Sequence, residues 1–258
     1  MRLYMRYLGI HLRSMMQYKA SFYMLTLGQF LTTFSSLLVV YFLFSRFGAV
    51  KGFGLEEVLI CYSVVLMAFS LAECFARGFD TFPRLISNGQ FDRMLVRPRN
   101  ATFQVLASTV EITRLGRMVQ AVAVLAYAAP NSGIAWTAGK VAVLAFMILG
   151  GTALFAALFW MYAGLSFFTL EGLEFMNVFT DGGRDHGAYP MGVYGREVLA
   201  FYTYVVPLAC VQYYPLMYLL GRWDNPWLAV CPLAGFAFLL PAWGIWRLGL
   251  RHYRSTGS

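Results

Sequence analysis

"VAVLAFMILGGTALFAALFWMYAGLSFFTL", residues 141–170, contains no charged side chain. A helix needs roughly 20 predominantly apolar residues to cross the hydrocarbon core, where no water is present to satisfy exposed backbone groups. This stretch exceeds that length, and it places the chain in a membrane. Four other uncharged runs are long enough: Ala20 to Ser45, Met118 to Gly139, Val198 to Gly221 and Asn225 to Trp246. A fifth, Val58 to Ala72, reaches an adequate length only by extension through Glu73 to Ala76, which puts Glu73 near a membrane face. The expectation is an all-α polytopic membrane protein with six transmembrane helices.

Composition agrees. Of 258 residues, 59% are hydrophobic and 12% charged, whereas soluble domains carry about 25% charged residues. The formal charge of +8 comes from 20 Lys and Arg against 12 Asp and Glu. These cations flank apolar runs, which points to lipid headgroups and topology and not to nucleic acid. With the N-terminus inside, 16 of the 20 Lys and Arg are cytoplasmic, leaving only Arg46, Lys51, Lys140 and Arg222 outside. Both termini are therefore expected in the cytoplasm.

The first apolar run is longer than the core of a secretory signal and has no small-residue cleavage site after it, so a cleaved signal is not expected. Residues 1–19 intersperse Leu3, Tyr7, Ile10 and Met15 with Arg2, Arg6 and Arg13. That pattern fits an amphipathic helix at the inner interface or a basic flank that only sets orientation. Cys61, Cys74, Cys210 and Cys231 lack C-x-x-C spacing and read as apolar fillers, with no metal expected. One membrane domain covers residues 1–258.

Three polar stretches interrupt the apolar ones. In residues 77–100, Asp80 can cap a short helix with Pro83 in its first turn, and Phe82, Leu85 and Ile86 share a face. Asn88-Gly89 supplies a left-handed stop, and Phe91 and Leu95 form a second apolar pair before Pro98. This spacing predicts a structured foot, suited either to lipid contact or to a partner. Residues 169–197, the second cytoplasmic loop, turn at Gly182-Gly183 and gather Asp181, Arg184, Asp185 and His186. Those groups suit a metal or acid–base site, or a polar turn with local ion pairing. Prolines 207, 215 and 226 interrupt the fifth run and its exit, so that span is kinked or re-entrant, with Tyr213, Tyr214, Tyr218, Trp223 and Trp227 as outer aromatic belt. Glu111 and Arg114 pair along a helix while Arg117 snorkels to the inner interface. No ionisable group is evident at mid-membrane.

Taken together, "NGQFDRMLVRPRN" (88–100), "FFTLEGLEFMNVFTDGGRDHGAYPMGVYG" (167–195) and "VVPLACVQYYPLMYLLG" (205–221) resemble the roughly 260-residue, six-span bacterial permeases of the type-2 ATP-binding-cassette exporter superfamily. Some members are described as viologen or multidrug exporters. The resemblance implies a transport subunit in the bacterial inner membrane that is not itself an enzyme. The sequence has no G-x-x-x-x-G-K-[ST] phosphate loop. ATP and Mg are then expected on two copies of a separate ATP-binding subunit, with a second permease chain, identical or sister, completing the pathway. The resemblance makes Phe82, Arg84, Leu85, Ile86, Gly89, Phe91, Asp92 and Leu95 the coupling segment. Phe69, Phe75, Tyr202 and Tyr204 suit an amphipathic or cationic substrate or plain packing; substrate-binding residues are not assigned. The competing classes are an ion-coupled secondary transporter and a membrane-embedded enzyme built on Asp181 to His186.

Overall fold

The computed structural model describes residues 2–169 and 173–254; the expected second cytoplasmic loop includes Leu170 to Gly172, which lie outside them. Uninterrupted apolar sequence rich in Leu, Ala and Met folds as helix, and the described residues contain no β-strand. α1 (Arg2–Gln17) and α2 (Lys19–Phe47) are parted only by Tyr18. α3 (Leu55–Asp80) begins where the Glu57 carboxylate accepts the Gly54 N–H at 3.1 Å. The short helices α4 (Phe82–Ser87), α5 (Gln90–Leu95) and α6 (Ala101–Leu106) follow, then a 3-10 turn, Ile112–Arg114.

α7 (Leu115–Asn131) and α8 (Ala138–Leu165) come next, then α9 (Met176–Gly187). Beyond them the helix is broken into α10 (Arg196–Tyr204), α11 (Leu208–Val211) and α12 (Tyr213–Leu219). α13 (Leu233–Ala237) and α14 (Leu239–His252) finish the chain.

Among the described residues, four helical stretches are long and apolar enough to cross a membrane: Lys19–Phe47, Leu55–Ser87, Ala138–Leu165 and Leu233–His252. α7 has 17 residues and so spans about 26 Å, short of the ~30 Å hydrocarbon core. It starts earlier and stops sooner than its apolar run, because Pro130 removes a donor and ends the helix within a residue.

α3 is the axis of the fold. The apolar window of its span is 89% buried, whereas that of α2 is 11% buried. α3 is apolar on every side, as a helix enclosed by others must be, and it packs against α7, α8 and α9.

Close helix contact depends on missing side chains. α8 and α14 meet at Gly164 and Gly249, where a Cβ on Gly249 would stand 2.7 Å from the Gly164 carbonyl oxygen. Lipid tails are as apolar as leucine, so helices in a bilayer associate through such close packing. Gly249→Val is therefore expected to lower stability by about 1–3 kcal/mol, measured as a fall in melting temperature in detergent; Gly244→Val, with open space around it, is the neutral control.

Candidate functional site

The foot is continuous with α3, interrupted only at Thr81. Asp80 does not cap α4 as its sequence position suggested. It is the last residue of α3 and pairs with Arg77 at 2.7 Å. Gly89, at φ 61°, turns the chain between α4 and α5, a conformation that glycine adopts without strain.

The apolar face predicted for this segment points inward. Phe82, Ile86 and Phe91 are buried. Phe82 meets Phe91 at 4.9 Å, Phe167 at 5.0 Å and Trp246 at 5.0 Å between ring centroids, and Phe91 meets Tyr253 at 5.2 Å. These edge-on aromatic contacts, each worth about 0.5–1.5 kcal/mol beyond burial, join the foot to the ends of α8 and α14. The Tyr253 hydroxyl donates to the Asp92 carboxylate at 2.9 Å. The Gln104 side-chain amide donates to the carbonyls of Met94 and Arg99, holding α5 to α6. What remains outside is Arg84, Arg93, Leu95 and Val96, the last 83% exposed, with Leu85 half-buried.

Above the foot lies a charged cluster of which sequence reasoning found only the Glu111–Arg114 pair. The Glu73 side chain is only 4% exposed, and its Oε2 sits 2.7 Å from Arg117 Nη1. Glu73 Oε1 is 3.4 Å from Arg77 and 3.5 Å from Arg114. Arg114 Nε reaches Glu111 at 2.7 Å, and Arg77 Nε approaches the same carboxylate at 3.4 Å. From α2, the Gln29 side-chain oxygen accepts from Arg114 at 2.9 Å and from Arg117 Nε at 2.7 Å. Three guanidiniums, Arg77, Arg114 and Arg117, thus balance three carboxylates, Glu73, Asp80 and Glu111.

Arg117 does not snorkel: its side chain is only 10% exposed. A carboxylate on an enclosed helix is tolerated only with counter-charge close by, and Arg117 turns inward to supply it. The one sequence signal was the ionisable pair itself, Glu73 and Arg117, each at the end of an apolar run.

Asp181, Arg184, Asp185 and His186 lie on a helix, not a turn. Met176, Thr180, Gly183 and Gly187 form the buried stripe of α9, and a Cβ on Gly187 would come within 3.1 Å of Val65, near the middle of α3. Gly187, not the Gly182-Gly183 pair that suggested a turn, is what lets α9 pack so closely. Arg184 pairs with Asp181 at 3.2 Å and Asp185 at 2.8 Å, and its guanidinium lies 5.2 Å from the Phe69 ring centroid. His186 Nδ1 is 2.9 Å from the Tyr202 hydroxyl. Among the described residues no cluster of His, Cys, Asp and Glu can hold a metal, and all four cysteines are free thiols.

A cavity of about 320 Å³ separates the two charged groups; Thr33, Ser36, Tyr62, Arg117, Arg184 and Asp185 are in its wall. Of the four aromatics singled out by sequence, Phe69 packs with Phe155 at 5.0 Å and Tyr202 is buried, whereas Tyr204 and Phe75 are exposed. None of them lines this cavity.

A family model described as "ABC-2 family transporter protein" matches residues 7–257. The chain belongs to the ABC-2 transporter family. No curated protein and no solved structure gives a significant match. Membership makes the chain an ABC transporter permease of a membrane, and implies association with ATP-binding subunits in general.

Burial, and then the Asp92 carboxylate that accepts its hydrogen bond, push the Tyr253 hydroxyl from 10.0 up to about 12. A raised folded-state value means the contact contributes below pH 10 and is lost as the pH rises through about 12. In an alkaline titration the wild type is expected to lose melting temperature over that interval. Tyr253→Phe should flatten this portion of the curve; an unchanged alkaline limb would show that the hydrogen bond contributes nothing.

Proposed function

We propose that this chain is the permease subunit of an ATP-driven exporter in a bacterial inner membrane. It crosses six times, by α2, α3, α7, α8, α10–α12 and α13–α14, with both termini cytoplasmic. The excess of Lys and Arg on that side supports the orientation. In this arrangement the fifth crossing is the broken one, and α9 enters the bundle as a helix ahead of it. The chain carries out no chemistry itself. ATP and Mg act on two separate ATP-binding subunits, and a second permease chain, identical or sister, completes the pathway for an amphipathic or drug-like compound.

The observation that carries this reading, beyond family membership, is the attachment of the foot. Its aromatic contacts reach Phe167, Trp246 and Tyr253, so displacement at α4 and α5 is delivered to α8 and α14 as well as to α3. The surface offered to the ATP-binding subunit is then the outer side, Arg84, Arg93, Leu95 and Val96, with Leu85 at its edge. ATP-driven closure of the partner subunits moves the feet, and the helices repack around the cavity. A ligand favouring one state is carried by that cycle.

The test is purification from native membranes in mild detergent. Co-recovery of a nucleotide-binding protein with substrate-stimulated ATPase activity is expected. Arg84→Glu combined with Val96→Arg should lower transport by at least about tenfold, a loss of roughly 1.4 kcal/mol in coupling, while the melting temperature stays unchanged. Recovery of the chain alone, with transport driven by an ion gradient, would overturn the proposal.

A further inference from the structure

A second cavity, of about 430 Å³, lies where α1 joins α2, facing the 3-10 turn before α7. Its size falls within the roughly 300–1,000 Å³ of small-ligand sites. Its wall is polar at Ser14, Ser21, Gln29, Glu111, Thr113 and Arg114. Between Ser21 and Gln29 it is lined by Phe22 and Leu25 of α2, a helix whose apolar window is almost entirely uncovered by the rest of the protein. A polar pocket that opens along an apolar, membrane-length helix has the shape of a lipid's headgroup and chain.

The charge pattern narrows the headgroup. Glu111 and Arg114 are 2.7 Å apart on the same wall, so the site carries one charge of each sign and no net charge. An anionic lipid gains little there. A head bearing both a phosphate and an ammonium complements the pair, phosphate to Arg114 and ammonium to Glu111. The neighbouring hydroxyls of Ser14, Ser21 and Thr113 accept N–H donors, which a primary ammonium has and a quaternary one lacks.

We propose that this cavity binds a zwitterionic aminophospholipid of the phosphatidylethanolamine type, its phosphate on Arg114 and its ammonium on Glu111, with the acyl chains along α2. The site is separate from the foot and does not depend on the coupling reading. It touches the buried cluster through Arg114 and Gln29, both of which line it. An occupant therefore contacts the same side chains that hold α2 against α7.

Native mass spectrometry of the delipidated full chain tests the assignment, with dioleoyl phosphatidylethanolamine, phosphatidylcholine and phosphatidylglycerol added separately. The ethanolamine lipid is expected to bind about tenfold more tightly than the other two, the effect of one charge-assisted hydrogen bond. Glu111→Gln should remove that preference. Ser21→Trp, which fills the cavity from its exposed rim without touching an ion pair, should weaken ethanolamine-lipid binding to the same degree. Equal retention of all three lipids, preference for phosphatidylglycerol, or undiminished binding by Ser21→Trp would each overturn the assignment.

Discussion

The Glu73 carboxylate is the constraint on which the rest of this structure depends. It sits on the most enclosed of the four membrane-length helical stretches among the described residues, and an unpaired charge there would cost several kcal/mol. Arg117 meets it at 2.7 Å, and Arg77 and Arg114 stand behind at 3.4 and 3.5 Å. Satisfying one carboxylate draws together α3, the turn before α7, α7 itself and, through Gln29, α2. The cluster adds to the other contacts of α2, the close approach of Thr26 to Gly116 and the hydrogen bond from the Tyr62 hydroxyl to the Thr33 carbonyl.

At the opposite end of α3 a second clamp has a different character. Glu57 accepts both a backbone N–H at the helix start and the Arg222 guanidinium at 2.6 Å, and Arg222 also lies 4.5 Å from the Phe53 ring centroid. That pair is partly exposed, so it is screened and weaker than the Glu73 group. Between the clamps the α3 side chains are apolar except for Ser63, Ser70 and the hydroxyl of Tyr62, which donates to the Thr33 carbonyl at 2.9 Å. The helix thus has a firmly held end beside the foot and a looser one beside Arg222.

Much of this was legible in the sequence, and the failures have physical causes. The long apolar runs gave the helical class because the bilayer admits no other open backbone. The Asn88-Gly89 break was readable because few residues adopt a left-handed turn. The direction of the foot's apolar face was not readable, since Phe82 and Phe91 pack against residues far along the chain, Phe167, Trp246 and Tyr253. α9 was hidden by Gly182-Gly183, a pair that commonly marks a turn and here lies within a helix. The buried cluster was hidden because Arg117 and Glu73 are 44 positions apart, each looking like an ordinary charge at the edge of a span.

The most direct measurement is a double-mutant cycle on that pair, with melting temperature in detergent as the readout. Glu73→Met should destabilise by about 3–5 kcal/mol, because Arg117 then faces no carboxylate; Arg117→Met should destabilise by less, because Arg77 and Arg114 still face Glu73. The double variant should recover most of the loss, since two apolar side chains leave no unpaired charge between them. Single variants of wild-type stability, or losses that add in the double variant, would contradict the view that this ion pair organises the bundle.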